Sequence, residues 1–166
     1  MIDVELQNPY DFDTIPDKRD LQTWSNAALQ KSHALDINDT VNLVIRVVNE
    51  DEGIELNHNY RDKKSATNIL SFPYEVPEYA ADIPELQDEY SQQYLGDLVL
   101  CEKVVITEAK AQNKTLEQHW AHLIVHGVLH LQGYDHIDDN DATIMETLEI
   151  KILGELGFDN PYSASL

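Results

Sequence analysis

Apolar positions recur with a period of two in some stretches of the chain and near 3.6 in others, and the switches between periods mark out the elements. Asp3 to Leu6 alternates polar and apolar side chains, which predicts a short first strand that Pro9 stops. Leu21, Trp24, Ala28 and Leu29 fall at helical spacing behind Pro16, predicting a helix from about Asp17 to His33. Val41 to Val48 is dense in β-branched residues and reads as a strand central to a sheet. A turn at Asn49 to Gly53 and a short helix to about Asn59 follow. The polar loop Tyr60 to Asn68 leads into the apolar strand Ile69 to Pro73. Tyr74 to Tyr94 carries Pro77, Pro84 and six carboxylates without a lysine or arginine, so it reads as a long acidic loop, a lid or simply mobile.

Leu95 to Cys101 is again strand-like. Asp97 stands there in apolar company, either as a functional carboxylate or as an edge-strand residue facing water. Glu102 to Gln112 reads as a helix. Thr115 and Gln118 form a capping-box pattern that opens the next one, through His119, Trp120, His122 and Val125. Asp138 to Asp141 gives a final helix its acidic first turn, with Ile144, Leu148, Ile152 and Leu156 as the expected buried face. Residues 158–166 read as a tail. There are no repeats, and no strict βαβ series is evident. The expected architecture is therefore one α+β domain over 1–166, a small mixed four-stranded sheet with about five helices and a metal site at a helix end.

Composition narrows the function. A chain of 166 residues with 42% hydrophobic content has room for one sizeable core. The single cysteine, Cys101, excludes an intramolecular disulfide and fits a reducing compartment. The first residues carry no basic region or apolar run, and no apolar stretch reaches 18 residues, so a cytoplasmic protein without a membrane role is expected. The net charge of −20, from 31 acids against 11 lysines and arginines, argues against broad adhesion to nucleic acid. A polyanionic substrate would have to meet a confined positive region. Arg61, Lys63 and Lys64 are the densest cluster of cations and lie on a loop beside a strand.

The chemistry concentrates between His126 and His136. Residues four apart share a helical face with Cβ atoms about 5–6 Å apart, so His126 and His130 can address one cation. On a continued helix His136 would lie ten residues beyond His126, about 15 Å along the axis and off the shared face. Gly133 is suited to turn the chain and bring His136 back. His119 and His122 share the same helical face, so His122 with His126 is a rival pair. Imidazole ligands suit zinc better than magnesium or calcium, and one ion is expected. Three protein ligands leave a position open for a water whose pKa zinc lowers to about 7, which points to hydrolysis.

The spacing of these histidines and Gly133 resembles that of metzincin peptidases, in which a glutamate general base follows the first histidine. Gly127 stands at that position here, which disfavours peptide hydrolysis and leaves phosphodiester cleavage open. The whole stretch His126 to His136, HGVLHLQGYDH, resembles the signature of the YbeY family of bacterial endoribonucleases and ribosomal RNA maturation factors. The resemblance extends to His119 to His122 (HWAH), Thr67 to Pro73 (TNILSFP), Leu95 to Asp97 (LGD) and the general order of elements. It implies a zinc-dependent endoribonuclease preferring single strands, active in 3′-end maturation of small-subunit (16S) ribosomal RNA and in ribosome quality control. The implied partners are single-stranded ribosomal RNA and the small subunit with its assembly proteins. Carried over by position, His126, His130 and His136 bind zinc and Arg61 serves phosphate contact or catalysis. Lys63 is the accompanying substrate-binding candidate, and Asp135 is a proton acceptor or a partner that orients a histidine. Lys64 departs from the acidic residue common in the family three positions after this arginine. Two alternatives stand beside this reading: an assembly factor acting by binding with a structural metal, and a zinc hydrolase of another ester or amide.

Overall fold

The computed structural model describes residues 1–29, 40–63, 65–74, 79, 82–83, 94–135 and 137–163. Lys64, His136, most of the expected acidic loop, the expected helix beyond Leu29 and residues 164–166 lie outside them. Four strands, β1 (Ile2–Gln7), β2 (Val41–Val48), β3 (Ile69–Pro73) and β4 (Tyr94–Cys101), form one sheet in the order β1-β2-β4-β3. β1 and β4 both run parallel to β2, and β3 is antiparallel to β4, so the sheet is mixed as expected. β2 and β4 are its inner strands. The parallel pair β1 and β2 flanks α1 in sequence, a βαβ arrangement that the uneven pattern of apolar residues had hidden.

The helices are α1 (Lys18–Ala28), α2 (Glu50–Arg61), α3 (Glu102–Ala111), α4 (Leu116–Leu131) and α5 (Asp139–Glu155). Four of these starts are set by side-chain caps, Asp17, Asn49, Thr115 and Asp138 each accepting from the backbone N–H three residues on, while α3 begins at Cys101 without one. The Thr115–Gln118 capping box forms in both directions, at 3.1 and 3.0 Å. The expected turn at Asn49 to Gly53 is instead this cap and the first turn of α2. Asn49 Oδ1 bonds Glu52 N at 2.9 Å, and three carboxylates lie where the helix dipole favours them.

α4 is the central helix. Trp120, Leu123, Ile124, Val125, Val128 and Leu129 are all buried, in one core with Leu43, Ile45 and Leu98 of the sheet and Met145 and Leu153 of α5. A second, smaller cluster of Val48, Leu70, Val99 and Cys101 on the sheet receives Leu56 of α2. It seats α2 beside the sheet, and Tyr60 meets Phe72 of β3 edge-on with centroids 5.1 Å apart. The end of α2 is thereby fixed next to β3.

Two readings of the pattern shift in the structure. On α5 the expected Ile152 is buried and Leu148 and Leu156 pack against the core, but Ile144 is 47% exposed and the buried face also takes in Met145, Glu149 and Leu153. Residues 158–163, expected as a tail, fold back. Phe158 N–H bonds Leu153 O at 2.8 Å and its ring meets Trp24, while Lys114 Nζ holds Pro161 O at 2.8 Å.

Candidate active site and metal centre

α4 delivers its last two histidines to a cleft of about 560 Å³ bounded by β3 and the end of α2. His126 and His130 line it together with Arg61, Asn68 and Asp135. The two imidazoles stand on successive turns with centroids 4.9 Å apart and planes at 74°. Behind them the helix ends as the sequence requires. Gly133 adopts φ +98°, its N–H bonds His130 O at 3.0 Å, and Tyr134 N–H returns to Leu129 O at 3.2 Å. The chain is thus turned off the helix axis three residues before His136, which itself lies outside the described residues.

Arg61 reaches the cleft because α2 stops there. Asp62 closes the helix in the left-handed conformation, φ 55°, with its N–H bonded to His58 O at 3.1 Å. Asn57, buried under the helix end, donates to Ser65 O at 2.6 Å and ties down the loop that follows. Arg61 is exposed and lines the same cleft as the histidine pair. Lys63, also exposed, is not among the cleft-lining residues.

The other two histidines of α4 point elsewhere. His119 is buried, its Nε2 3.0 Å from Glu108 Oε1, a carboxylate that also accepts from Asn68 Nδ2 at 3.0 Å. Burial lowers its pKa against the opposing pull of Glu108. His122 lies outside the Arg61 cleft, in a neighbouring pocket that His126 also lines, with its Nε2 3.2 Å from Tyr162 Oη. Asp97 is likewise remote. It sits on an inner strand rather than an edge, lines a separate groove with Arg46 and Glu52, and accepts a hydrogen bond from Tyr94.

One residue near the site was not singled out by the sequence. Glu149 of α5 is fully buried and its Oε1 lies 2.6 Å from His126 Nδ1. Burial pushes its pKa up, but hydrogen bonds from His122, His126 and Tyr162 and the charge of His126 outweigh that and hold it at about 2. Its signal in the sequence was positional. Glu149 stands four residues from both Met145 and Leu153, on the buried stripe of its helix.

Among the described residues no group of three His, Cys, Asp or Glu side chains is arranged to hold an ion. The pair His126 and His130 nevertheless fits a metal such as zinc. Its donors are borderline nitrogens on one helical face, and Glu149 takes up His126 Nδ1, which makes Nε2 the nitrogen that would serve an ion.

Fold and site together define a single-domain α+β protein that presents a histidine pair and an arginine in one cleft. The profile described as Endoribonuclease YbeY matches residues 5–157. A relative named endoribonuclease YbeY from Pseudomonas putida strain W619 is 47% identical over 163 residues, covering 98% of this chain and 94% of that protein. One of the same name from Methylococcus capsulatus strain Bath is 47% identical over 162 residues, covering 98% and 96%. The solution structure of TM1509 from Thermotoga maritima is similar at a TM-score of 0.53 and 25% identity, over 95% of this chain and 92% of that one. The chain belongs to the endoribonuclease YbeY family, an enzyme family of nucleases. No helix among the described residues is long and apolar enough to cross a membrane.

Proposed function

We propose that this protein is a zinc-dependent endoribonuclease that cuts single-stranded RNA, acting in 3′-end maturation of small-subunit (16S) ribosomal RNA and in ribosome quality control. It works in the cytoplasm on the small subunit and its assembly proteins. The observation that carries the reading is the sharing of one cleft by Arg61, His126 and His130. Cleaving a phosphodiester needs a nucleophile activated near neutral pH and a cation for the charge that develops on the phosphate. Both kinds of group face the same space.

His126, His130 and His136 would hold one zinc ion. Zinc there supplies Lewis acidity and brings the pKa of a water to about 7. Arg61 offers planar, paired N–H donors to the non-bridging phosphate oxygens, and Asp135 offers a carboxylate on the cleft wall for proton transfer. With a net charge of −20 the remainder of the surface repels a polyanion, which favours a strand led into this one cleft or presented by a protein partner. The test is metal analysis of protein purified without added metal, alongside cleavage of single-stranded ribosomal RNA fragments. About one zinc per chain with cleavage tracking occupancy is expected. Full activity in preparations lacking metal would sink the reading.

A further inference from the structure

His126 is held from behind. Its Nδ1 lies 2.6 Å from Glu149 Oε1, across the interface between α4 and α5. Tyr162 donates to the other oxygen of the same carboxylate. His122 lies 3.5 Å from Oε1 and 3.2 Å from Tyr162 Oη, its ring edge-on to the tyrosine at 5.3 Å between centroids. The turn that carries Tyr162 is itself fastened, by Tyr162 N–H to Asn160 Oδ1 at 2.8 Å and by Lys114 to Pro161 O. A carboxylate only accepts hydrogen bonds, so an imidazole nitrogen at 2.6 Å from it must carry the proton. In the neutral ring, the form that binds a metal, the other nitrogen is then the lone-pair donor.

A fully buried carboxylate is costly unless paired, and an apolar residue would fill this position on the stripe of α5 more simply. Its partners converge on the one histidine that faces both this recess and the cleft. We propose that Glu149, braced by Tyr162, is a positioning residue for His126, fixing the Nδ1-protonated tautomer and aiming Nε2 at the ion in the cleft. The inference rests on the reading of His126 as a metal ligand. A carboxylate behind a ligating histidine raises the basicity of the ligand and fixes its orientation, and losing such a partner commonly costs about 10- to 100-fold in metal affinity.

The experiment measures zinc affinity by competition with a chromophoric chelator for the wild-type chain, Glu149→Gln and His126→Ala, together with metal-free melting curves. Nitrogen-15 spectra of the histidine side chains are recorded on the metal-free wild type. Glu149→Gln keeps the shape of the side chain and removes its charge. The expected result is a cooperative metal-free melt and zinc binding weaker by about 10- to 100-fold. Wild-type affinity in Glu149→Gln, with binding lost in His126→Ala, overturns the positioning role and leaves the ligand assignment standing. Undiminished binding in His126→Ala removes the ligand assignment and the proposal with it. If Glu149→Gln does not fold, the tautomer decides. A His126 proton on Nδ1 supports the proposal, and a proton on Nε2 overturns it.

Discussion

Gly127 and Leu98 approach so closely that a Cβ on the glycine would lie 2.8 Å from Leu98 Cδ2, and equally close to Ile69 Cδ1. The residue after the first histidine therefore faces the sheet, and a glutamate there would enter the core rather than the cleft. The absence of a peptidase-type base at this position is thus imposed by packing. Gly127→Glu should destabilise the fold by about 3 kcal/mol or more, since it buries an unpaired charge. Gly127→Ala should lose about 1 kcal/mol, because overpacking outweighs the gain in helix propensity. Denaturant unfolding checks both, and a neutral Gly127→Glu would contradict the packing argument.

Arg46 grips Glu52 with two parallel bonds, Nε to Oε2 at 2.7 Å and Nη2 to Oε1 at 2.9 Å, and Tyr10 Oη donates at 2.7 Å. The hydrogen bond from Arg46 holds the Glu52 carboxyl below its ordinary 4.5. A carboxylate with a depressed folded pKa contributes stability that is present above its unfolded value and lost as pH falls below it. Glu52→Gln should cost about 1 kcal/mol at pH 7, and the gap to wild type should close as pH drops below 4.5. A gap that stays constant to pH 3 would contradict the ion pair. Thermal melts across this range are sufficient.

Metal removal should separate catalysis from folding. The core is built from the sheet, α1, α4 and α5, and the histidine cleft lies at its margin. A ligand present at a hundredfold over its dissociation constant stabilises by about 2.7 kcal/mol, which for a chain of this size is about 5–10 °C in Tm. Chelation should abolish cleavage, lower Tm by that order and leave unfolding cooperative. Loss of the cooperative transition would instead indicate a structural metal.

The scarcity of cations sets the salt dependence of RNA binding. Arg61, Lys63 and Lys64 are the densest cluster of cations in the sequence, and each phosphate neutralised on a single strand contributes about −0.7 to the slope of log K against log salt. The slope should be no steeper than about −2, and Arg61→Ala should flatten it by about 0.7. A slope of about −5 would imply a broad basic surface that the composition lacks.

How much of this was legible depended on whether a feature is local. Val41–Val48, Ile69–Pro73 and the Thr115 capping box were readable because β-branched runs and cap chemistry act within a few residues. The Gly133 turn was readable for the same reason, and the structure gives it φ +98°. Asn49 was misread as a turn because a helix cap and a turn favour the same polar residues. Glu149 and Tyr162 went unnoticed because their meaning lies in α4, 23 and 36 residues away from His126 by sequence. An expected buried face read from apolar residues alone left out the carboxylate that stands on it.

The central claim is that one cleft joins a histidine-held metal to Arg61 for cutting RNA. It is tested most directly by the rate of cleavage of a single-stranded ribosomal RNA fragment by wild type, His130→Ala and Arg61→Ala, each confirmed folded by its melt. Losing a metal ligand or a transition-state cation removes about 3–4 kcal/mol, so both variants should fall by at least about a hundredfold. Cleavage persisting undiminished in both would mean that the activity belongs to a contaminating nuclease, or that the chemistry lies elsewhere on the molecule.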